Sequence, residues 1–92
     1  MGAELDWCVY LVLCADGTLY CGITKQPAAR LAAHQAGKGA RYTRARGAVA
    51  MRVLSSGWSH SQALKEENRI KRLRREQKWA LWEAAQPVPR GC

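Results

Sequence analysis

The chain predicts an α+β domain, a small three-stranded antiparallel sheet flanked by helices in the order β-β-α-β-α-α. Three features lead there. Residues 8–14 (Cys-Val-Tyr-Leu-Val-Leu-Cys) and 18–22 are rich in β-branched, aromatic and aliphatic side chains, and Asp16-Gly17 between them is a hairpin turn signal. A second apolar run at 49–54 reads as a third strand. Between and after these runs the apolar residues recur at helical spacing.

The first helix is predicted from Pro27, which suits a first turn, through Ala28, Leu31 and Ala32 to about Gln35. Gly37, Gly39 and Gly47 bracket a basic loop, 38–46, with room for a helical turn. Ser59 followed by Gln62 forms a capping box and opens a long helix, about 60–74. A last helix covers about 76–85 and stops before Pro87. With 92 residues, no repeats and no linker, the expectation is one domain over 1–92 with its core at about 7–85.

The composition narrows the function. Hydrophobic residues make up 48%, which calls for a packed core, and no apolar run is long enough to span a bilayer. The acidic start, 1–6, lacks a basic-then-apolar signal layout, so a cytoplasmic location is expected. Cys8, Cys14, Cys21 and Cys92 show no C-x-x-C pair and no histidine at metal-ligand spacing. The first three read as small strand residues, with no disulfide framework or structural zinc. Fifteen Lys and Arg against seven Asp and Glu leave a net charge of +8, concentrated at 38–46 and 69–78. Such clusters attract polyanions, although charge alone fits a solvated face equally well. The basic segments lack the broad apolar face of a membrane-surface helix.

Three groups of residues carry candidate chemistry. Tyr10 and Tyr20 face each other across the hairpin only if the loop has odd length: Ala15-Asp16-Gly17 with Gly17 left-handed puts both on one face, whereas a two-residue turn separates them. Local chemistry allows either loop, and tyrosine is also an ordinary strand residue. Arg30 and His34 lie four apart and share a helix face. A guanidinium offers a fixed fork of donors to phosphate oxygens, and an imidazole moves protons near neutral pH; a plain surface pair has the same spacing. Glu66 and Glu67 flank the apolar stripe of Ala63, Leu64, Ile70 and Leu73, each about 50° from its centre by the helical period. A carboxylate there needs a partner, either a cation or Lys71, and periodicity does not choose between the two glutamates. Phosphodiester hydrolysis asks for such parts: a metal on the phosphate, an arginine on the developing charge and a base for water.

The order of these residues is similar to a known family. Cys8-Val9-Tyr10 with Tyr20-Cys21-Gly22 resembles the paired motif of the GIY-YIG nucleases, with Cys8 and Val9 replacing its first two letters. Arg30-Leu-Ala-Ala-His34, Gly37-Lys-Gly39-Ala-Arg-Tyr42-Thr43 and Ala63-Leu-Lys-Glu-Glu67-Asn-Arg-Ile-Lys71 extend the likeness over about 7–80, to the small stand-alone UPF0213 subfamily. The resemblance implies an endonuclease acting on DNA, with single-stranded or branched forms favoured, and one divalent cation, Mg2+ or Mn2+. It gives Tyr10 or Tyr20, with Tyr10 preferred, the activation of water, Arg30 the transition-state charge, and His34 the polarising or relaying of a proton. Glu67 becomes the metal ligand, Glu66 its solvent-side neighbour, and Gly22 the residue that lets backbone approach the site.

Larger relatives carry added DNA-binding domains and this chain has none, so Lys38, Arg41, Tyr42, Arg44, Arg46 and Lys71 are the expected nucleic-acid contacts. Tyr42 would stack a base while the cations follow phosphates. Trp79 and Trp82 are expected in the core. A monomer is expected, with no obligate protein partner and no membrane. The alternative is a module that binds DNA or RNA on the same fold without cutting.

Overall fold

The computed structural model describes residues 5–87. The elements run β1 (Trp7–Cys14), β2 (Leu19–Thr24), α1 (Pro27–Gln35), α2 (Arg41–Arg46), β3 (Ala48–Trp58), α3 (His60–Lys71), α4 (Arg75–Ala84) and β4 (Gln86–Pro87). The predicted α+β class holds. The sheet is antiparallel in the order β2-β1-β3-β4, so β1 is central, β2 is an edge strand, and β4 adds two residues beside β3. Among the described residues, no helix is long and apolar enough to cross a membrane.

Strand alternation sends side chains to two faces, each with its own core. Val9, Leu11, Leu19 and Cys21 point one way and are buried with Ala63 and Ile70 of α3 and Trp82 of α4. Tyr10, Val12, Cys14 and Met51 point the other way, onto Leu31 of α1, with Tyr20 and Tyr42 packed alongside. The cysteines of the strands are free thiols, Cys14 and Cys21 buried and Cys8 half-buried; Cys92 lies outside the described residues. Trp82 is buried and Trp79 packs edge-on against it at 6.4 Å, as core residues.

The element boundaries differ from expectation where local pattern and tertiary pairing diverge. β3 runs past residue 54 to Trp58 because pairing with β1 continues through irregularities that the apolar run does not reveal. The expected 60–74 helix stops at Lys71. Leu73 keeps the apolar spacing, but its N–H turns back to the Ile70 carbonyl (3.0 Å) and Arg74 is already extended. The Gln77 side chain accepts the Arg74 N–H at 3.0 Å and starts α4 there. The Ser59–Gln62 capping box forms as expected, with bonds of 3.0 and 3.2 Å. Leu64 proves exposed, because it lies at the far side of the stripe set by Ala63 and Ile70.

The basic loop does contain a helix, α2, and the hairpin tip holds it. Ala15 N–H donates to the Gly47 carbonyl at 2.8 Å, and Arg46 pairs with Asp16 at 3.1 Å. These contacts lay α2 beside the tyrosine face of the sheet, where Thr43 becomes fully buried.

Candidate active site

The hairpin register places the phenols first. Cys14 N–H donates to the Thr18 carbonyl at 2.9 Å, Gly17 sits at φ 83°, and the loop is the three-residue one. Tyr10 pairs with Gly22 and Val12 with Tyr20, so both tyrosines leave the sheet on the α1 face. Gly22 is required for a reason that motif spacing does not suggest. A Cβ on it would lie 2.4 Å from Tyr10 Oη and 2.5 Å from Cζ, so the phenol itself occupies the space.

Tyr10 Oη is the centre of a hydrogen-bonded chain. Arg30 Nε donates to it at 3.3 Å, and His34 Nε2 lies 3.0 Å away. On the other side of the imidazole, Nδ1 lies 2.7 Å from Thr43 Oγ1, which in turn lies 3.0 Å from the Ala40 carbonyl. That carbonyl can only accept, so it takes the Thr43 proton. Thr43 therefore accepts from Nδ1–H, and Nε2 is left with the lone pair that receives the Tyr10 O–H. Every donor in the run has one acceptor. Gly39 leaves room for the ring, since a Cβ there would be 2.2 Å from Nδ1.

Burial sets the protonation of this chain. Tyr10 and His34 are each 1% exposed. Burial pushes the Tyr10 phenol up to about 12, with the Arg30 bond only partly opposing it. Burial, and then the positive charge of Arg30, push the His34 imidazole down to about 4. Phenol and imidazole are thus both neutral across the ordinary pH range, and the proton stays on the phenol. The chain orients rather than ionises, and what it orients at its outer end is Arg30.

Tyr20 differs from Tyr10 in exposure. It is half-buried, meets His34 edge-on at 5.8 Å, stacks on Tyr42 at 5.6 Å, and has Lys71 Nζ 5.7 Å from its ring centre. Arg30 feels the field of both phenols.

The glutamates sit on the opposite side of β2. Glu66 forms a two-pronged bond with Arg69, at 2.8 and 2.7 Å, and that bond holds its carboxyl below the usual range. Glu67 has a looser partner, Lys71 Nζ at 3.6 Å, and its side chain is 14% exposed. Its charge, after burial, helps push the Cys21 thiol up to about 12, which places it against the α3 side of β2. Tyr10, Tyr20, Arg30 and His34 therefore form one contact group, and Lys71, with its Nζ 3.6 Å from Glu67 and 5.7 Å from the Tyr20 ring centre, lies between that group and Glu67.

Of the expected nucleic-acid contacts, Lys38, Arg41, Arg44 and Lys71 are exposed. Arg46 is exposed but engaged, paired with Asp16 and lying 3.9 Å over the Tyr42 ring. With Tyr20 also stacked on it, the Tyr42 ring is already covered by protein, and a base can stack there only if Arg46 moves. Arg75 and Lys78, within the 69–78 basic cluster but not among the expected contacts, line a cavity of about 190 Å³ beside Tyr42. Gly39 and Thr43 stand in the sequence only as part of the 37–43 stretch, and their contacts with His34 come from the structure. The signal available in the sequence was their place in that stretch, so close to Arg30 and His34.

Comparison with known proteins identifies the family. The family model described as the GIY-YIG catalytic domain matches residues 6–80. A UPF0213 protein of Neisseria gonorrhoeae is 49% identical over 84 residues, 91% of this chain and 92% of its own length. One from Neisseria meningitidis serogroup A is 48% identical over 84 residues, with the same coverage of both chains. A third, from Halobacterium salinarum, is 49% identical over 74 residues, 80% of this chain and 96% of its own. No solved structure gives a significant match. The GIY-YIG domain implies a nuclease family, generally metal-dependent, while the names of the UPF0213 relatives state no activity. The chain belongs to the GIY-YIG catalytic-domain family, as a small member of the UPF0213 type.

Proposed function

We propose that this protein is a metal-dependent endonuclease that hydrolyses DNA phosphodiester bonds, acting on single-stranded or branched DNA. The observation that carries the reading is the run Arg30–Tyr10–His34–Thr43, which holds a guanidinium fast on the face that also presents the half-buried phenol of Tyr20. Donors already fixed toward the developing charge need no reorganisation during the reaction, and in most enzymes this preorganisation lowers the barrier more than any other effect.

The roles follow from exposure. Tyr10 is enclosed by Arg30, His34 and Gly22, so its task is to hold Arg30 with the outer nitrogens of its guanidinium turned to a phosphate. Tyr20 is the phenol that water can reach, and it orients the attacking water. His34 keeps its lone pair on Tyr10 and stays neutral, adding no positive charge of its own beside Arg30. Lys38, Arg41, Arg44 and Lys71, with Arg75 and Lys78, supply the cationic path for the backbone.

Glu67 fits a hard divalent cation, Mg2+ or Mn2+. Its ion pair with Lys71 is long, at 3.6 Å, whereas Glu66 is taken up by Arg69. Among the described residues no group of three or more His, Cys, Asp or Glu could cage a metal. A cation held by one carboxylate, waters and substrate phosphate suits magnesium's coordination habits. When bound, it would neutralise and polarise the phosphate. A monomer working in the cytoplasm belongs to the same reading.

The test is incubation with labelled single-stranded, duplex and branched DNA, and with RNA, across several divalent ions. Cleavage of DNA by wild type and its loss in Glu67→Ala is the expected result. Equal cleavage by the two would refute the assignment. Salt-dependent binding without product under any metal would favour a binding module instead.

A further inference from the structure

Beside Arg30 an open groove of about 500 Å³ runs to Trp7, past Ile23, Thr24, Lys25 and Gln26 on one side and Ala29 and Ala33 of α1 on the other. It begins at the guanidinium assigned to the scissile phosphate and has no part in the chemistry described above. Resting on the nuclease reading, we infer that this groove is a subsite for one unpaired nucleobase, that of a nucleotide flanking the cleaved bond.

Its chemistry suits a base better than a phosphate or a duplex. Its lining includes Ile23 and two alanines of α1 one turn apart. The lining also includes the Trp7 indole, with the His60 ring tilted against it at 4.5 Å and Lys25 Nζ 5.7 Å from its ring centre. The indole and the alkyl side chains offer apolar contact that every base can use, and stacking on the indole face requires Lys25 to move aside. At the rim, the Thr24 hydroxyl, which takes the Gln26 N–H at 3.0 Å, and the exposed Gln26 carboxamide can meet base edges. Among the described residues no acidic side chain lines the groove, and the Arg30 guanidinium in its lining favours a polyanion. The volume, about 500 Å³, lies in the range of small-ligand clefts, about 300–1,000 Å³, and accommodates a base and sugar. The groove would thereby select DNA that is unpaired next to the cut.

The test reads binding, not cleavage. Glu67→Gln protein, and the same protein carrying Ala29→Leu, are titrated by fluorescence anisotropy with a short single-stranded oligonucleotide. An abasic strand of equal length and charge is the second probe. Ala29→Leu fills the groove from an exposed helix position and removes no core contact; Trp7→Ala is the companion, read only if it folds. Occupation of the groove by a base predicts that Ala29→Leu weakens binding of the base-bearing strand about 5- to 100-fold and leaves the abasic strand unchanged. Equal weakening of both strands, no weakening of either, or no binding of the base-bearing strand at all overturns the inference. Binding of the expected kind by a protein whose wild type cuts nothing would refute the nuclease reading and leave the base subsite standing.

Discussion

His34 Nδ1 lies 2.7 Å from the Thr43 hydroxyl, and this contact decides which imidazole nitrogen faces Tyr10 with a lone pair. Because Thr43 gives its own proton to the Ala40 carbonyl, the tautomer of His34 is dictated from α2, nine residues away along the chain. Thr43→Val keeps the shape and removes the acceptor, stranding a buried N–H. The expected cost is about 1–3 kcal/mol of stability, with cleavage reduced at least about tenfold because the imidazole is no longer held in place. Thr43→Ser should stay near wild type in both thermal denaturation and turnover. A valine variant as active and stable as the serine one would show that the contact orients nothing.

Arg30→Lys separates charge from geometry. Lysine keeps the positive charge but has no Nε–H at the place that reaches Tyr10 Oη, and no planar fork. Turnover should fall by about 10²–10³, while KM changes little because long-range attraction is kept. Steady-state kinetics on the best DNA substrate decide it, and an unchanged kcat would remove Arg30 from the assigned role.

Gly22→Ala should move the Tyr10 ring, since the new methyl would sit 2.4 Å from Oη with the strand backbone behind it. Overpacking of this kind costs about 1–3 kcal/mol. The displaced phenol would lose the Arg30 and His34 contacts together, so activity should drop more than stability alone explains. A urea titration paired with a cleavage assay measures both.

The low pKa of His34 predicts an acid limb in stability. Above the ordinary imidazole value of 6.5, folded and unfolded chains both carry neutral imidazole, and His34 adds no pH dependence. Between 6.5 and about 4 the unfolded chain takes up a proton that the folded site refuses. Stability therefore falls by about 1.4 kcal/mol per pH unit across that window and levels off below it. The difference between wild type and His34→Gln, followed by chemical denaturation from about pH 7 to about pH 4.5, isolates this slope. Parallel curves would contradict it.

Neutralising Lys38, Arg41 and Arg44 together should weaken DNA binding without altering the fold, because all three are exposed. If each meets a phosphate of a single strand, the slope of log affinity against log salt falls by ~2. An unchanged slope would place the nucleic acid elsewhere on the surface.

Much of the architecture was legible because it rests on short-range rules. The strand composition around Asp16-Gly17, Pro27 at a first turn and the Ser59–Gln62 capping box each act within a few residues, and each appears where expected. The end of α3 is not legible in the same way, because Leu73 continues the apolar spacing through a turn, and spacing records burial rather than hydrogen bonding. Helical period does not distinguish Glu66 from Glu67 either. Only the side-chain partners separate them, a two-pronged Arg69 against a distant Lys71.

Composition and spacing establish the α+β class, the family motifs and the residue types from which a phosphate site can be built, since they are properties of the chain. Folding set the rest: the hairpin register that puts Tyr10 and Tyr20 on one face, the burial that keeps Tyr10 and His34 neutral, and the contact of Thr43 with His34. Those depend on groups distant in sequence meeting within about 3 Å, and no local rule encodes that proximity.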